Sequence, residues 1–449
     1  MVLYLGPLLL NAPLTDPDEG LHAAISQEMV ERGDFIVPRF VGRAFFDKPI
    51  LFFWAQAASM RLFGMSTAAA RLPGMLFALL GIVTTGWLAR VLLGNTGHTS
   101  GLAIGWVAAG CYATMVLPFV LAQAPVHDIA LVPLTNVTIG LLWRSRDPGS
   151  GIGYPILAGC ALGLSILTKG LEGIAIVGVG YAAYLLVTRT LTRRLVLLGI
   201  LVVVLAALVA LPWYLAMDAR EPGYLRYYFL NRHLLGFTTG TQRHGGQPWW
   251  YYLPVFVAGG LPWIVYVRRR LLSDAPGTFL WIWPAASLVL LSLSNSKAVT
   301  YALPVMPALA IVVARSDVLA RHWQRGAIAI AIVYAGAIVT AGRTVAYTHS
   351  STDLTEYFNS EGRLPESMFV MENRVAFVYY LRPDVRARMR HDQIQNFTLD
   401  ELEAMRPFPK GAVLALPADL ADVRLRRLPQ LANGHRRQIR RYVLLSPPS

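Results

Sequence analysis

Runs of apolar residues, each about 16 to 24 residues long, recur along most of this chain and limit the folds that it can adopt. A helix needs about 20 such residues to cross the hydrocarbon core of a bilayer. A transmembrane barrel would instead show shorter segments of alternating polarity. The pattern therefore predicts a polytopic α-helical membrane protein with about 11 transmembrane helices, in a range of about 11–13. Residues 1–14 are interpreted as the outer part of the first helix. The later runs lie at 70–93, 101–121, 127–143, 152–167, 171–188, 194–216, 250–267, 278–293, 298–314 and 326–343.

Basic residues are concentrated in alternate loops between these runs. One set of loops holds arginine clusters such as Arg144 and Arg146, whereas the short loops of the other set contain only Lys169 and Lys297 as basic residues. The positive-inside rule makes the arginine-rich loops cytoplasmic. We therefore expect the other loops and the C-terminal tail on the periplasmic side of the cytoplasmic (inner) membrane. The same rule accounts for the net charge of +14, so membrane lipids are expected as partners and nucleic acid is not.

The first outer loop, residues 15–69, is the longest polar interruption in the first half of the chain. It is predicted to contain two helices that lie in the membrane interface. One runs over about 19–32, with Asp16 or Asp18 as its N-cap, and the other begins at Pro49.

The composition changes near residue 347. Apolar segments too short to span a membrane there alternate with polar helical stretches, which predicts a small soluble α/β domain over residues 347–449. Residues 1–346 are then the transmembrane domain, including a second long outer loop at 217–249. The C-terminal domain shows no catalytic motif and is interpreted as supporting or covering the membrane domain.

Acidic residues are the candidates for proton transfer or for positioning a substrate. Asp18 and Glu19 follow Asp16 at the start of a predicted interfacial helix, and Asp128 lies at the outer end of a predicted span. A partly desolvated carboxylate has an altered pKa and suits acid–base work. The alternative is that these acids only cap helices and face water.

Basic residues on the same predicted side can form a phosphate-sized pocket. Lysine is a compact cation suited to phosphate, although a lysine at this depth can also contact lipid headgroups. The candidates are Lys48, Lys169, Lys297, Arg232 and Arg243, together with Tyr301.

A zinc-like divalent cation is the one cofactor for which the sequence offers ligands. Asp47 with His233, or less favourably with His244, supplies carboxylate and imidazole donors. No dense ligand motif is present, so these histidines can equally be surface residues. No nucleotide-binding motif was found either.

Four sequence blocks together resemble a known family. They are DPDEG with the following residues to FDKPILFFW, the LTKG motif, the block from PWYLAMDAREPGYLRYYF to PWWYYLP, and SNSKAVTYALP. In this order they are similar to bacterial C-type, protein-mannosyltransferase-like glycosyltransferases, and among these to the lipid A aminoarabinose transferase family. The resemblance extends from about residue 15 to 307.

The resemblance implies an enzyme that moves a sugar from a polyprenyl-phosphate donor to a lipid A-like, glycan or protein acceptor outside the cytoplasmic membrane, with inversion at the sugar carbon. It implies that Asp18 is the principal catalytic or acceptor-orienting acid and that Asp128 is the second acid. Lys48 matches the lysine at the lipid phosphate. The resemblance also places Lys169 and Tyr301 at the donor, and pairs Asp47 with His233 as metal ligands.

The chain departs from the family pattern at two places. Leu21 and His22 stand where the family has arginine and an aromatic residue, and Gly236 replaces a further arginine. These arginines would serve anionic groups, so the departures leave the acceptor open. A lipid-linked sugar or polysaccharide transporter is the alternative function, but it would carry charges in mid-membrane rather than at one face. A membrane scaffold would not explain the acids on one side.

Overall fold

The computed structural model describes residues 2–6, 10–94, 101–124, 126–239, 246–269 and 273–448. The described chain is mainly helical, and it divides into two compact units. The first unit comprises residues 1–6, 46–52 and 71–337, and the second comprises 7–45, 53–70 and 338–449.

The first unit is built from apolar helices. The helix Arg193–Arg220 has 28 residues, and its most apolar 18-residue window has a mean hydropathy of 3.1 with only 17% of that window buried. Since Leu208 on this helix is 64% exposed, its outer face suits lipid rather than water. The α-helices wholly in this unit are Gly101–Thr114, Val116–Gln123, His127–Arg144, Gly153–Lys169, Leu171–Val187, Arg193–Arg220, Gly236–Thr239, Tyr252–Gly259, Ala275–Leu293, Met306–Ala314 and Asp317–Ala337.

Four described helices are long and apolar enough to cross a membrane: Thr67–Leu93, Arg193–Arg220, Ala275–Leu293 and the continuous stretch Asp317–Thr348. A fifth span is counted if the pair Ala103–Thr114 and Val116–Gln123, bent by 59°, crosses as one unit. The helical membrane fold is therefore confirmed. The number of about 11 spans stays a prediction.

Proline and glycine explain why some apolar runs do not form one long helix. The run 250–267 forms the α-helix Tyr252–Gly259, and after Gly260 and Pro262 it continues as the 3₁₀ turn Trp263–Tyr266. The run 298–314 begins as the 3₁₀ helix Val299–Val305 and then becomes α-helical. Pro304 and Pro307 lack the N–H that an α-helical ladder needs, so they favour this break.

The second unit contains a five-stranded sheet in its C-terminal part. Its strands are β3 (Ser367–Val370), β4 (Ile394–Asn396), β5 (Ala412–Pro417), β6 (His435–Ile439) and β7 (Tyr442–Ser446), in the order β4-β3-β5-β7-β6. Strand β3 is parallel to β4 and β5, whereas β7 is antiparallel to β5 and β6. Phe369, Leu414 and Val443 belong to one buried cluster on the sheet. The helices Asp353–Glu361, Pro383–Ala387, Leu399–Ala404 and Ala418–Leu425 complete a small α/β region.

The same unit contains the first predicted interfacial helix, which is observed at Asp18–Arg32 and ends at Gly33 in the left-handed conformation. The short hairpin strands β1 (Arg39–Phe40) and β2 (Arg43–Ala44) follow it. The second helix begins at Leu51, two residues after Pro49, and extends to Phe63.

The expectation that Asp16 or Asp18 caps this helix was wrong, because no side chain caps its first turn. The Asp16 carboxylate instead accepts the backbone N–H groups of Ser351 at 2.7 Å, Val375 at 2.7 Å and Ala376 at 2.8 Å. It therefore ties the start of the helix to the C-terminal region of the same unit.

Gly20 makes this contact possible. A Cβ at this position would lie 2.4 Å from the Cβ of Ala376, so a larger residue would force the helix away. Burial raises the pKa of Asp16 to about 6, although its hydrogen bonds act in the opposite direction.

Candidate active site

A polar cavity of about 360 Å³ in the first unit gathers many of the residues that the sequence singled out. It has an apolar wall from Leu290, Leu291 and Phe237 and a charged wall from several loops and helix ends. The charged and polar side chains that line this polar cavity include Asp47, Lys48, Lys169, Glu172, Arg232, His233 and Tyr301.

The LTKG motif forms the corner of the polar cavity. Lys169 is the last residue of the helix Gly153–Lys169, and the next helix begins at Leu171. Gly170 joins them with φ 69° and ψ −134°, a backbone conformation that is open essentially only to glycine. A Cβ at Gly170 would lie 2.4 Å from the hydroxyl of Tyr228 and 2.6 Å from Nε2 of His233. The glycine is therefore needed for both the turn and the close packing.

Lys169 is held by two carboxylates at this corner. Its ammonium group donates to Asp128, which lies in the first turn of the helix His127–Arg144, and it lies 2.7 Å from Glu172. The ring centroid of Tyr301 is 3.9 Å from the ammonium nitrogen, a cation–π contact. The Lys169 and Asp128 side chains are each 5% exposed. Loss of one partner from such a buried pair leaves an uncompensated charge and costs about 3–5 kcal/mol.

A second charged group comes from residues 47 and 226–235. The hydroxyl of Tyr227 donates to Asp47 at 2.8 Å, and Asp47 also stabilises the charge of Arg232. Arg232 and His233 belong to a π-helical segment, Arg226–Leu235, a geometry that is often found at functional sites.

His233 is neutral near pH 7. Burial lowers its pKa to about 4, and the positive charges of Arg232, Lys48 and Lys169 act in the same direction. Its ring meets that of Tyr228 edge to face, with centroids 4.8 Å apart. A neutral imidazole can accept a hydrogen bond or bind a metal, but it adds no positive charge to the polar cavity.

The metal site stays a prediction. Asp47 and His233 line the same polar cavity, as a two-residue cation site requires. No group of three or more His, Cys, Asp or Glu side chains suited to a metal occurs in the part of the chain that the structure describes. His244 and Arg243 lie outside the described residues. The two ligands therefore fit a cation only if other donors complete its coordination.

The remaining candidates lie in different surroundings. Lys48 lines the polar cavity and acts electrostatically on Asp128 and Glu172. The ammonium group of Lys297 donates to the backbone carbonyl oxygens of Ser294 and Gln247, so it holds a loop together next to the lining residues Ser294 and Ser296.

Asp18 and Glu19 belong to the second unit. Asp18 is exposed in the first turn of its helix. Glu19 is 3% exposed, and its carboxylate accepts the backbone N–H of Thr15 at 2.8 Å and its hydroxyl at 3.1 Å. Glu19 therefore already has a structural role at the start of the helix.

Sequence reasoning missed Glu172, which lines the polar cavity, and Tyr227, which contacts the lining residue Asp47. Glu172 follows the LTKG motif closely, and three-residue spacing from Lys169 could have marked it as a partner. Tyr227 contacts Asp47 across 180 residues of sequence, and no local pattern indicates such a pair.

A family model and two individual relatives that match this chain are all sugar transferases. Residues 47–213 match the model of the dolichyl-phosphate-mannose-protein mannosyltransferase family. The undecaprenyl phosphate-alpha-4-amino-4-deoxy-L-arabinose arabinosyl transferase 1 of Pseudomonas fluorescens (strain Pf0-1) is 31% identical over 324 residues, which cover 71% of this chain and 56% of that protein. The corresponding transferase of Edwardsiella ictaluri is 32% identical, with 70% of this chain and 57% of that protein covered. The chain thus spans a little over half the length of these relatives.

Solved structures share the fold over nearly the whole chain. ArnT from Cupriavidus metallidurans, bound to undecaprenyl phosphate, has a TM-score of 0.73 at 22% identity, and 99% of this chain and 96% of that chain are covered. The archaeal oligosaccharyltransferase AglB from Archaeoglobus fulgidus gives a TM-score of 0.57 at 13% identity, with 100% and 74% covered. The predicted resemblance to the lipid A aminoarabinose transferases is confirmed.

Proposed function

We propose, from this similarity, that the chain is an integral inner-membrane glycosyltransferase that moves a sugar from a polyprenyl-phosphate donor to a lipid A-like, glycan or protein acceptor. The observation that carries the proposal is the polar cavity, in which Lys48, Lys169 and Arg232 meet beside an apolar wall. An apolar wall suits the prenyl chain, and cations suit its phosphate. The relatives named above act on an undecaprenyl phosphate-linked sugar.

Transfer breaks the bond between the sugar carbon and the phosphate oxygen, and the phosphate leaves with additional negative charge. Preorganised cations that face this charge lower the barrier, and removal of one such group typically costs about 100- to 1,000-fold in rate. Since Lys169 already binds two carboxylates, we assign the leaving phosphate mainly to Lys48 and Arg232. Asp128 acts as a positioning residue that holds Lys169.

Asp18 is the proposed acid for the acceptor. An exposed carboxylate in the first turn of a helix can orient an acceptor hydroxyl and take its proton as the new bond forms. Attack from the side opposite the phosphate inverts the sugar carbon. The distribution of arginines between the loops supports a periplasmic location for this chemistry.

Transfer by purified protein tests the proposal. Full-length protein in lipid nanodiscs, supplied with polyprenyl-phospho-sugars and envelope glycolipids, is expected to form a new glycoside that mass spectrometry detects. Asp18→Asn should lower the rate by about 100-fold or more, because it removes a general base. Asp384→Asn, which removes an exposed carboxylate from the same unit, is the matched control. Undiminished transfer by Asp18→Asn would remove this residue from its role.

The pair Asp47 and His233 remains the proposal for a divalent cation. If a zinc-like ion is bound, it would supply positive charge at the leaving phosphate. Elemental analysis of active wild-type protein and of His233→Ala tests this. A metal content that is stoichiometric in the wild type and reduced in the variant supports the pair, whereas metal-free active protein ends the proposal.

A further inference from the structure

Glu172 is a largely buried acid that the chemistry of a phosphate leaving group does not use. It lies in the first turn of the helix Leu171–Val187 and lines the polar cavity, with 14% of its side chain exposed. Its Oε2 is 2.7 Å from the ammonium of Lys169. Its Oε1 is buried and has no hydrogen-bond partner among the described residues. A buried carboxylate oxygen without a hydrogen bond is costly, so a hydrogen-bond donor that reached it would bind favourably.

Lys169 alone does not explain the presence of Glu172. Asp128 already pairs with the same ammonium group, and both of those side chains are 5% exposed. One positive charge therefore meets two negative charges, and the group of three carries one excess negative charge. Glu172 is therefore not needed to neutralise Lys169, and its charge has to be balanced by other groups around the polar cavity.

Neighbouring cations balance this excess negative charge while the polar cavity is empty. The lining residues add Lys48 and Arg232 as cations and Asp47 as a further acid. With Asp128 included, three cations then face three acids, and the polar cavity is neutral overall. A sugar linked to a prenyl phosphate is a phosphodiester with one negative charge. Its binding would leave one negative charge uncompensated in a site of low dielectric constant.

We propose that Glu172 binds a cationic amino group on the donor sugar and so selects a zwitterionic donor over a neutral sugar phosphodiester. The ammonium group brings the one positive charge that the occupied site lacks, and its N–H groups can reach the unpartnered carboxylate oxygen. The terminal torsion of a glutamate is broad, so a small rotation turns either oxygen towards the polar cavity. This inference rests on the proposed function, because it places a sugar donor at this site.

A purely structural role makes a different prediction. If Glu172 only clamps Lys169, its loss should resemble the loss of Asp128, and both changes should weaken all donors alike. If Glu172 contacts the amine, its loss should act on donors that carry an amine and spare neutral donors. The comparison of Glu172→Gln with Asp128→Asn therefore separates the two roles.

The test measures binding of two donors to full-length protein in nanodiscs without an acceptor. The probes are a short-chain polyprenyl phosphate linked to 4-amino-4-deoxyarabinose and the same lipid linked to arabinose, in which a hydroxyl replaces the amine. A charge-assisted hydrogen bond contributes about 1.5–3 kcal/mol, so the wild type should bind the amino donor about 10-fold more tightly or better. Glu172→Gln should reduce this ratio to about 2-fold or less, whereas Asp128→Asn should weaken both donors and preserve the ratio.

Glu172→Asp provides a second variant that keeps the charge and should retain part of the preference. Thermal unfolding of each variant in nanodiscs verifies that it is folded. Equal affinity of the wild type for both donors, or an unchanged ratio in Glu172→Gln, would overturn the inference. In that case transfer of either sugar would leave the proposed function standing, whereas absence of both binding and transfer would remove the two together.

Discussion

At the scale of single residues, the backbone conformation of Gly170 determines how the corner of the polar cavity packs. Gly170→Ala places a Cβ 2.4 Å from the Tyr228 hydroxyl in a conformation that alanine avoids. Backbone strain of this kind costs about 1–3 kcal/mol, and displacement of Lys169 should lower transfer more than stability. Gly178→Ala is the matched control, since it lies in the adjacent helix and its new Cβ would meet no atom within 4 Å. Thermal unfolding and initial transfer rates measure the two effects, and wild-type values for Gly170→Ala would contradict the prediction.

Lys48 provides the second residue-level prediction. Lys48→Ala should reduce transfer by about 100-fold or more, because it removes a cation assigned to the leaving phosphate. The effect should appear in kcat more than in KM, since the phosphate charge grows as the bond breaks. Lys410→Ala, which removes an exposed lysine from the C-terminal region, should leave both constants unchanged. A loss confined to KM would instead assign Lys48 to uniform donor binding.

The sequence predicted that residues share a site only where loop charges or a motif connected them. Alternation of loop charges grouped Lys48 and Lys169 on one side, and the structure places both on one polar cavity with Tyr301. The same reasoning gave no signal for Tyr227, whose contact with Asp47 depends on packing between distant segments. It also predicted that Asp16 caps the helix, because a short acid before a helix usually has that role. The observed partners of Asp16 are more than 330 residues away in sequence, so no local pattern indicates them.

At the scale of elements, the start of the helix Asp18–Arg32 is expected to respond to pH. The folded-state pKa of Asp16, about 6, lies above its usual value of 3.8, because burial disfavours the ionised form. The folded state therefore binds the proton more tightly than the unfolded state. The stabilisation that protonated Asp16 contributes is complete below about pH 4 and is lost as the pH rises to about 6. The free energy of unfolding falls by about 3 kcal/mol at most over this range. Arg374 and Tyr442 are other ionisable groups that interact with Asp16.

Hydrogen exchange of residues 351–377, corrected for the intrinsic effect of pH, measures this contribution. Protection of the amides of Ser351, Val375 and Ala376 should fall between about pH 4 and 6 in the wild type and stay level above that range. Asp16→Asn should lose the pH step and should lower protection at every pH. Its amide has one acceptor oxygen where the carboxylate has two, so either Ser351 or the pair Val375 and Ala376 loses its acceptor. Asp384→Asn should keep the step. A step that persists in Asp16→Asn would assign it to another group.

Element type was more predictable than element continuity. Apolar runs and the polar segments after residue 347 predicted a helical membrane part and a small α/β part, and both are observed. Hydropathy alone could not predict that the runs 250–267 and 298–314 would break, although Gly260, Pro262 and Pro304 mark the positions. A hydropathy average over a window hides the effect of single residues that interrupt the hydrogen bonds of a helix.

At the scale of the whole molecule, the distribution of arginines predicts on which side of the membrane each loop lies. Arginines are clustered in loops such as that of Arg144 and Arg146, and this asymmetry orients membrane proteins during insertion. Single cysteines report the side directly. Asp147→Cys places a thiol in that arginine-rich loop, and Val423→Cys places one on an exposed position of the C-terminal region. Both are to be made in a background in which Cys111 and Cys160 are replaced by alanine.

A membrane-impermeant maleimide added to intact spheroplasts should label Val423→Cys and should label Asp147→Cys only after lysis. The reason is that the predicted odd number of spans would put the C-terminal region opposite the cytoplasm, whereas the positive-inside rule predicts a cytoplasmic arginine-rich loop. The cysteine-free background measures non-specific labelling, and transfer activity in each variant shows that insertion is normal. Labelling of both thiols in intact cells, or of Asp147→Cys alone, would contradict the proposed orientation. That result would also contradict the proposal that the sugar donor is used on the periplasmic face.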